Sequence, residues 1–371
     1  MSIRNTDIIV IGAGIAGLAA ATALAQRGAV VTVLEQASEL GEVGAGLQVG
    51  PNGIAVLKAL GLFDAAKAVA NVPEAVILRD MLNGRQVARL PMGDAATQRW
   101  GRPYWQFHRA DLLEVLANGA RAAGVNIRLG ERGEGAEATI IIAADGVRSN
   151  IRKTVFDGQP VRFTGQVAWR GVLKGTVENA ATVYMAPGKH LVTYPLRDDL
   201  VNFVAVEERS DWADEGWSVP DDPENLRAAF ADATPEIRAF LDQVEETFLW
   251  GLFDHPVLPS WTKDNIALIG DACHPMLPFL AQGAVMALED AWVLARELDC
   301  SGVAGLRDYE RLRKPRATRV QKAALGNARA YHLGGVPRGV AHKGLAAIST
   351  LAPQLLLGKF DWLYGEDVTT G

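Results

Sequence analysis

Three glycines and one acid are the first residues whose spacing could do chemistry. Gly12-x-Gly14-x-x-Gly17 is followed by Glu35 at the end of the next apolar run. Gly12 permits a tight turn, Gly14 lets a phosphate approach the backbone, and Gly17 lets a helix pack closely on a strand. The helix N-terminus offers free N–H groups and the positive end of its dipole to a pyrophosphate. An acid where Glu35 stands can accept hydrogen bonds from ribose hydroxyls. A glycine triplet alone is a weak signal. Here strand, helix, second strand and acid agree on dinucleotide binding, without separating FAD from NAD.

Two further acids stand at strand ends. One lies in Ala144-Asp145-Gly146-Val-Arg148-Ser149-x-x-Arg152. The other lies in Gly270-Asp271-Ala-Cys-His274-Pro275, which runs on through Pro278 to Gln282-Gly283. Asp271 can hold a sugar-chain hydroxyl, and the amides of a helix opening at Gly283 can face an electron-rich ring or an oxyanion. Each acid singly could just cap a turn. Three such sites at three parallel-strand ends are harder to produce as separate caps. His190, Thr193 and Tyr194 share a strand, on which alternation puts His190 and Tyr194 on one face. Either ring could assist a proton transfer, and Arg170 could pair with a carboxylate, although packing or solvation explains each singly. His108 and His274 read as loop-holding residues. No two histidines have metal-ligand spacing and no GxSxG occurs, so no metal site or serine hydrolase is expected.

The elements that must position these residues follow from patterning. Asp7–Ile11 is a strand buried on both faces, and the Ala-rich run after Gly17 is a helix ended by Gly28. Val30–Leu34 completes a βαβ unit. Residues 38–50, with Gly41, Gly44, Gly46 and Gly50, read as a glycine-rich loop, and Pro51-Asn52 opens a helix to about Leu60. Asn83-Gly84 between alternating runs predicts a hairpin. A helix is expected over 111–123, strands over 125–129 and 139–144, and a β region over 160–210. A helix is expected over 221–243, a parallel strand over 266–269, and helices from Gly283 to about Arg329. Five tryptophans (169, 212, 217, 250, 261) fall between 156 and 264. The fold class is thus α/β: a Rossmann-like domain with a parallel sheet, an inserted β-sheet-rich domain and C-terminal helices. The expected division is residues 1–72, 100–155 and 265–325 for the cofactor domain, 73–99 and 156–264 for the substrate domain, and 326–371 for a helical tail.

The chain has 371 residues and a formal net charge of −6, with 49% hydrophobic and 22% charged residues. That composition excludes wholesale disorder, and the spread acidity argues against a nucleic-acid surface. The two cysteines, Cys273 and Cys300, make no disulfide framework and suit a reducing cytoplasm. The apolar stretch Ile8–Ala25 imitates a signal peptide, but Asp7 and the glycine spacing oppose that reading, and no membrane span is expected.

Taken together, the sequence resembles the FAD-dependent aromatic hydroxylases, the single-component flavoprotein monooxygenases that include salicylate hydroxylase and 3-hydroxybenzoate 6-hydroxylase. The resemblance covers nearly the whole chain. It rests on Gly12/Gly14/Gly17/Glu35, Phe107-His108-Arg109-Ala-Asp111-Leu, Ala144-Asp145-Gly146-Val-Arg-Ser, Tyr194-Pro-Leu-Arg197, Gly270-Asp271-Ala-Cys-His-Pro and Asp361-Trp-Leu-Tyr364. It implies that Gly12, Gly14, Gly17 and Glu35 hold the ADP half of FAD. Arg109 would reach the phosphate or ribityl region, and Asp145-Gly146 would serve both FAD and the nicotinamide donor. Gly270-Asp271 would bind the ribityl chain, Gln282-Gly283 would lie near the isoalloxazine, and Pro278 would line its reactive face. Implied also are NADH or NADPH as transient co-substrate, O2, a small aromatic and preferably phenolic-acid substrate, and transfer of oxygen through a C4a-hydroperoxyflavin. The expected state is a monomer or homodimer. The alternatives are a monooxygenase for a bulkier polycyclic or antibiotic-like substrate, another FAD oxidoreductase on the same fold, and an FAD-binding protein without catalysis. Two departures stand out: a short link over Glu131–Glu137, and Val285 where many relatives have Asn.

Overall fold

Alternation of apolar strands and Ala- or Leu-rich helices builds the first layer. The structure, a computed structural model, describes residues 2–41, 46–133, 135–156, 158, 160–210 and 219–370. Gly44, Trp212 and Trp217, named above, and residue 134 of the short link over Glu131–Glu137 lie outside the described residues. A six-stranded sheet runs in the order Thr262–Lys263, Ile266–Leu268, Ile140–Ala143, Asp7–Ile11, Val30–Glu35, Asn126–Leu129. All its pairings are parallel except that of the short edge strand Thr262–Lys263. Val10 faces Val33 on one side and Ile142 on the other, and all three are fully buried. Such two-sided burial is why these strands read as continuous β-branched runs. Helix Ile15–Ala25 is buried through Leu24 and packs along helix Gly283–Ser301. Its alanines allow that close approach.

The second sheet has eight strands in the order Val219–Asp221, Thr247–Asp254, Arg162–Lys174, Leu200–Glu208, Lys189–Pro195, Ala180–Ala186, Ala75–Asp80, Gln86–Pro91. Every pairing is antiparallel except that of Ala75–Asp80 with Ala180–Ala186. The hairpin at Asn83-Gly84 forms, with Gly84 at φ +71°. Phe203, Phe230 and Trp169 fill the core on one face of this sheet. The other face turns toward the first layer.

Several elements differ from expectation. Within residues 38–50, Gly46–Val49 is a strand, paired antiparallel with Trp105–His108 in a two-stranded sheet. Four residues starting at a glycine carry too little β pattern to be seen. The helix expected over 221–243 is two helices, Pro223–Ala229 and Pro235–Leu241. Pro235 disfavours helical geometry at Thr234 and starts the second helix at its own N-terminus. The β region opens on one long strand, Arg162–Lys174, carried through Gly165 at φ +76° opposite a register shift at Leu252/Phe253. Strand Thr247–Asp254 and helices Phe63–Val69 and Gly93–Trp100 were not anticipated. The C-terminal region is helical, and helix Gly305–Tyr331 passes unbroken across residue 326. Among the described residues, no helix is long and apolar enough to cross a membrane.

Candidate active site

The glycine turn has the geometry its composition suggests. Gly12 has φ +103°, a conformation open to glycine, and a Cβ there would lie 2.4 Å from the Ala144 carbonyl oxygen. A Cβ on Gly17 would lie 1.9 Å from the Gly12 oxygen, so helix and turn touch through bare backbone. Gly14 is different: a Cβ there would meet nothing within 4 Å, because this face opens onto a cavity. The Glu35 carboxylate accepts from the amides of Ala13 at 2.8 Å and Ala37 at 2.9 Å. It therefore ties the turn to the second strand as well as facing the cavity.

The two acidic loops meet over this turn. Asp145 accepts at Oδ2 from the Asn150 amide at 3.0 Å, while its buried Oδ1 has no hydrogen-bond partner. Gly146, at φ +75°, turns the chain. Arg152 donates to the Val147 carbonyl at 2.6 Å and to the Asp271 carbonyl at 3.3 Å, bridging both loops. Gly270 has φ +58° and packs against Ala16 and Ala287. Its amide donates to Asp290 Oδ2 at 3.1 Å, and the same oxygen lies 2.5 Å from His274 Nε2. His274 thus holds its loop, as its sequence context suggested. Burial pushes the Asp271 carboxyl up, and the Arg109 guanidinium opposes that shift. Burial likewise lowers Arg109, with Asp271 opposing.

Beyond Asp271, Pro278 opens a single 3-10 turn, and Ala281 sits in the left-handed region at φ +52°. A left-handed alanine costs about 1–2 kcal/mol. This bend brings Gln282 to the start of helix Gly283–Ser301. Gln282 accepts from Asn52 Nδ2 at 3.1 Å, and Asn52 also donates to Glu289 at 2.7 Å. Val285 is fully buried with its methyls toward Gly53. The amide that meets Gln282 comes from Asn52 on a neighbouring helix.

Two joined cavities occupy this region. One, of about 530 Å3, is lined by Gly12, Gly14, Glu35, Asp145 and Gly146. The other, of about 580 Å3, lies against the eight-stranded sheet. Arg109, Arg148, Asp271 and Gly283 line both, so they mark where the two meet. The two joined cavities, the bare glycine face, the Asp145 oxygen without a partner and the helix N-terminus at Gly283 fit a dinucleotide.

His190, Tyr194, Pro278 and Gln282 all line the second cavity, with Arg170 among them. The structure therefore brings together the strand residues and the loop residues. Burial holds the His190 imidazole well below its usual value, and His332 adds to that. Burial raises the Tyr194 hydroxyl against the pull of Arg170. At neutral pH, His190 is an uncharged base and Tyr194 an uncharged phenol. Tyr194 also backs onto Gly46, where a Cβ would lie 2.6 Å from its ring. The Arg170 guanidinium lies 4.0 Å above the Trp250 ring. Burial, and then Arg109, lower it to about 10, so it stays charged at pH 7.

The chain matches the family model described as FAD binding domain over residues 5–140 and 130–324. It is 36% identical over 364 residues to a 3-amino-4-hydroxybenzoate 2-monooxygenase of Streptomyces platensis, covering 91% of each chain. It is 33% identical over 395 residues to a 3-hydroxybenzoate 6-hydroxylase of Polaromonas naphthalenivorans, covering 98% of this chain and 97% of the relative. The chain belongs to the FAD-dependent aromatic hydroxylases. A salicylate hydroxylase solved as a substrate complex superposes with a TM-score of 0.79 at 26% identity, covering 99% of this chain and 97% of that one. FAD is accordingly the cofactor of this chain.

Sequence reasoning passed over some residues of this region. Asn52 was visible only as a helix start, and nothing in sequence linked it to Gln282. His332 and Glu208, which lie behind His190, sit in runs without a motif. No spacing rule joins residues from two strands and a helix end.

Proposed function

We propose that this hydroxylase acts on a small phenolic acid, with O2 and NADH or NADPH as co-substrates. Gly12, Gly14, Gly17 and Glu35 would hold the ADP end of FAD. Arg109, Asp145, Gly146, Gly270 and Asp271 would flank its middle, and Gln282-Gly283 would lie against its ring. Once bound, FAD supplies the redox chemistry that activates oxygen. The chain supplies the rest. His190 Nε2 takes the proton of the phenol, which makes the ring a better nucleophile. Arg170 and Arg109 attract the carboxylate, Tyr194 orients the substrate as a neutral hydrogen-bonding group, and Pro278 shapes the wall beside the ring. Val183, Val192, Val204 and Leu252 line the same cavity and exclude water from the reacting atoms.

One observation carries the phenolic-acid reading: His190 and the buried Arg170 guanidinium, which stays charged, line one cavity together with Val183, Val192, Val204 and Leu252. The aliphatic wall alone would suit a bulky neutral polycycle, whereas a buried guanidinium in the same cavity favours an anionic substrate. The two cysteines are free, which suits a reducing, cytoplasmic setting.

The test is NADH and NADPH oxidation by the FAD-loaded protein against hydroxybenzoates, neutral phenols and polycyclic phenols, with product analysis. Hydroxybenzoates should stimulate oxidation with stoichiometric product, and Arg170→Gln should raise KM for them about tenfold or more, the loss of one charge-assisted contact. Turnover of neutral polycycles alone would overturn the substrate assignment.

A further inference from the structure

Behind His190 lies a row of titratable groups that leads out of the cavity. His190 is 1% exposed on strand Lys189–Pro195. Its Nδ1 lies 2.7 Å from Nε2 of His332, the residue that ends helix Gly305–Tyr331. Nδ1 of His332 lies 2.8 Å from Oε1 of Glu208, at the end of strand Leu200–Glu208. The Glu208 side chain is 56% exposed, while that of His332 is 3% exposed. Three elements distant in sequence thus line up from cavity to solvent.

The carboxylate sets every proton in the row. An ionised carboxylate only accepts, so His332 donates from Nδ1. A neutral His332 then has its lone pair on Nε2, which must accept from His190 Nδ1. That leaves the lone pair of His190 on Nε2, the nitrogen available to the cavity. Gln166 Nε2 also lies 3.3 Å from His332 Nδ1, and a half-turn of its amide presents the oxygen instead.

We propose that Glu208 and His332 are positioning residues that make His190 Nε2 the base, and that this row conducts the phenolic proton to solvent. The inference rests on the phenol-hydroxylating reading above. In the step, the phenol O–H bond breaks and the oxygen keeps the electron pair. The proton joins His190 Nε2, the Nδ1 proton of His190 passes to His332 Nε2, and the Nδ1 proton of His332 passes to Glu208 and on to water. When product is reprotonated at its phenolate oxygen by His190 Nε2, the same row runs backward and the starting tautomers return. Nothing is oxidised or reduced.

The surroundings suit neutral rings. Burial lowers the His332 imidazole, with Glu208 opposing, and burial with His332 lowers His190. Tyr331 packs 5.3 Å from the His190 ring, and burial raises its hydroxyl to about 12, so it stays neutral. Phe279 covers the ring at 5.2 Å. The charged neighbours are committed elsewhere: Lys189 to Asp232 at 2.6 Å, and Glu207 to Arg209 at 2.5 Å.

The test uses the FAD-loaded protein and 3-hydroxybenzoate as probe. Ionisation of the bound phenol is read from the ultraviolet band of the phenolate across pH, and proton release from an indicator dye in weak buffer by stopped flow. Glu208→Gln, a surface change that keeps the fold, should slow proton release by roughly tenfold. It should raise the apparent pKa of the bound phenol by about one unit, with little change in the affinity for the probe. His332→Asn should do the same, and His190→Asn should abolish ionisation. Wild-type release and pH profile in both Glu208→Gln and His332→Asn, with His190→Asn inactive, would overturn the relay while leaving the base in place. A wild-type protein that binds the probe without ionising it would overturn the phenol reading itself, and the relay with it.

Discussion

Gly14 and Gly17 are the same residue type with opposite reasons to be glycine. At Gly17 a Cβ would collide with the Gly12 carbonyl oxygen at 1.9 Å, and backbone cannot swing aside. Gly17→Ala should therefore lower stability by about 1–3 kcal/mol, as overpacking does, with a lower melting temperature even without flavin. Gly14 has φ −75° and open space, so Gly14→Ala should leave the flavin-free melting temperature nearly unchanged. The methyl would stand where the cofactor's phosphates are proposed to approach, so that variant should lose FAD on gel filtration. Melting curves paired with the flavin-to-protein absorbance ratio check both. Full FAD occupancy in Gly14→Ala would remove Gly14 from the proposed phosphate site. Residue type and spacing exposed these glycines because backbone sterics act locally. The Glu35 bond to the Ala13 amide and the His190–His332 pair were not legible, because each depends on where two distant elements cross.

At the scale of elements, helix Gly283–Ser301 and helix Gly305–Tyr331 are joined by buried charge. Glu289 and Asp290 are fully buried, and Arg313 donates to Glu289 at 2.6 Å and to Asp290 at 2.8 Å. Burial pushes both carboxyls up, but Arg313 and Arg316 on Glu289, and His274 and Arg313 on Asp290, hold them below their usual values. Through Asn52 and Gly270, these two carboxylates also hold Gln282 and the Asp271 loop. Arg313→Met would leave both acids short of a partner, at a cost of about 3–5 kcal/mol. The expected outcome is a lower urea midpoint together with faster flavin dissociation. An unchanged midpoint would show that Arg316 and His274 suffice to neutralise the pair. The two helices were legible from their periodicity. Their buried ion network was not, since charges inside a helical pattern look like a solvated face.

At the scale of the whole molecule, the parallel layer was readable because its four inner strands are apolar runs that lead into a Gly or an acid. The eight-stranded sheet was readable only as a β region. Its order depends on the parallel pairing of Ala75–Asp80 with Ala180–Ala186, a contact made across about a hundred residues of chain. That pairing seats the hairpin beside the His190 strand pair, where Val76 and Leu90 line the cavity. The proposed reaction puts oxygen from O2 into an aromatic ring held in this cavity. It is tested most directly by turnover of a hydroxybenzoate under ¹⁸O2 with the FAD-loaded protein and NADH or NADPH. Mass spectrometry of the product should show one ¹⁸O atom in a new ring hydroxyl. Product oxygen drawn only from water, or nicotinamide oxidation that yields hydrogen peroxide and no hydroxylated ring with any phenol tested, would contradict it.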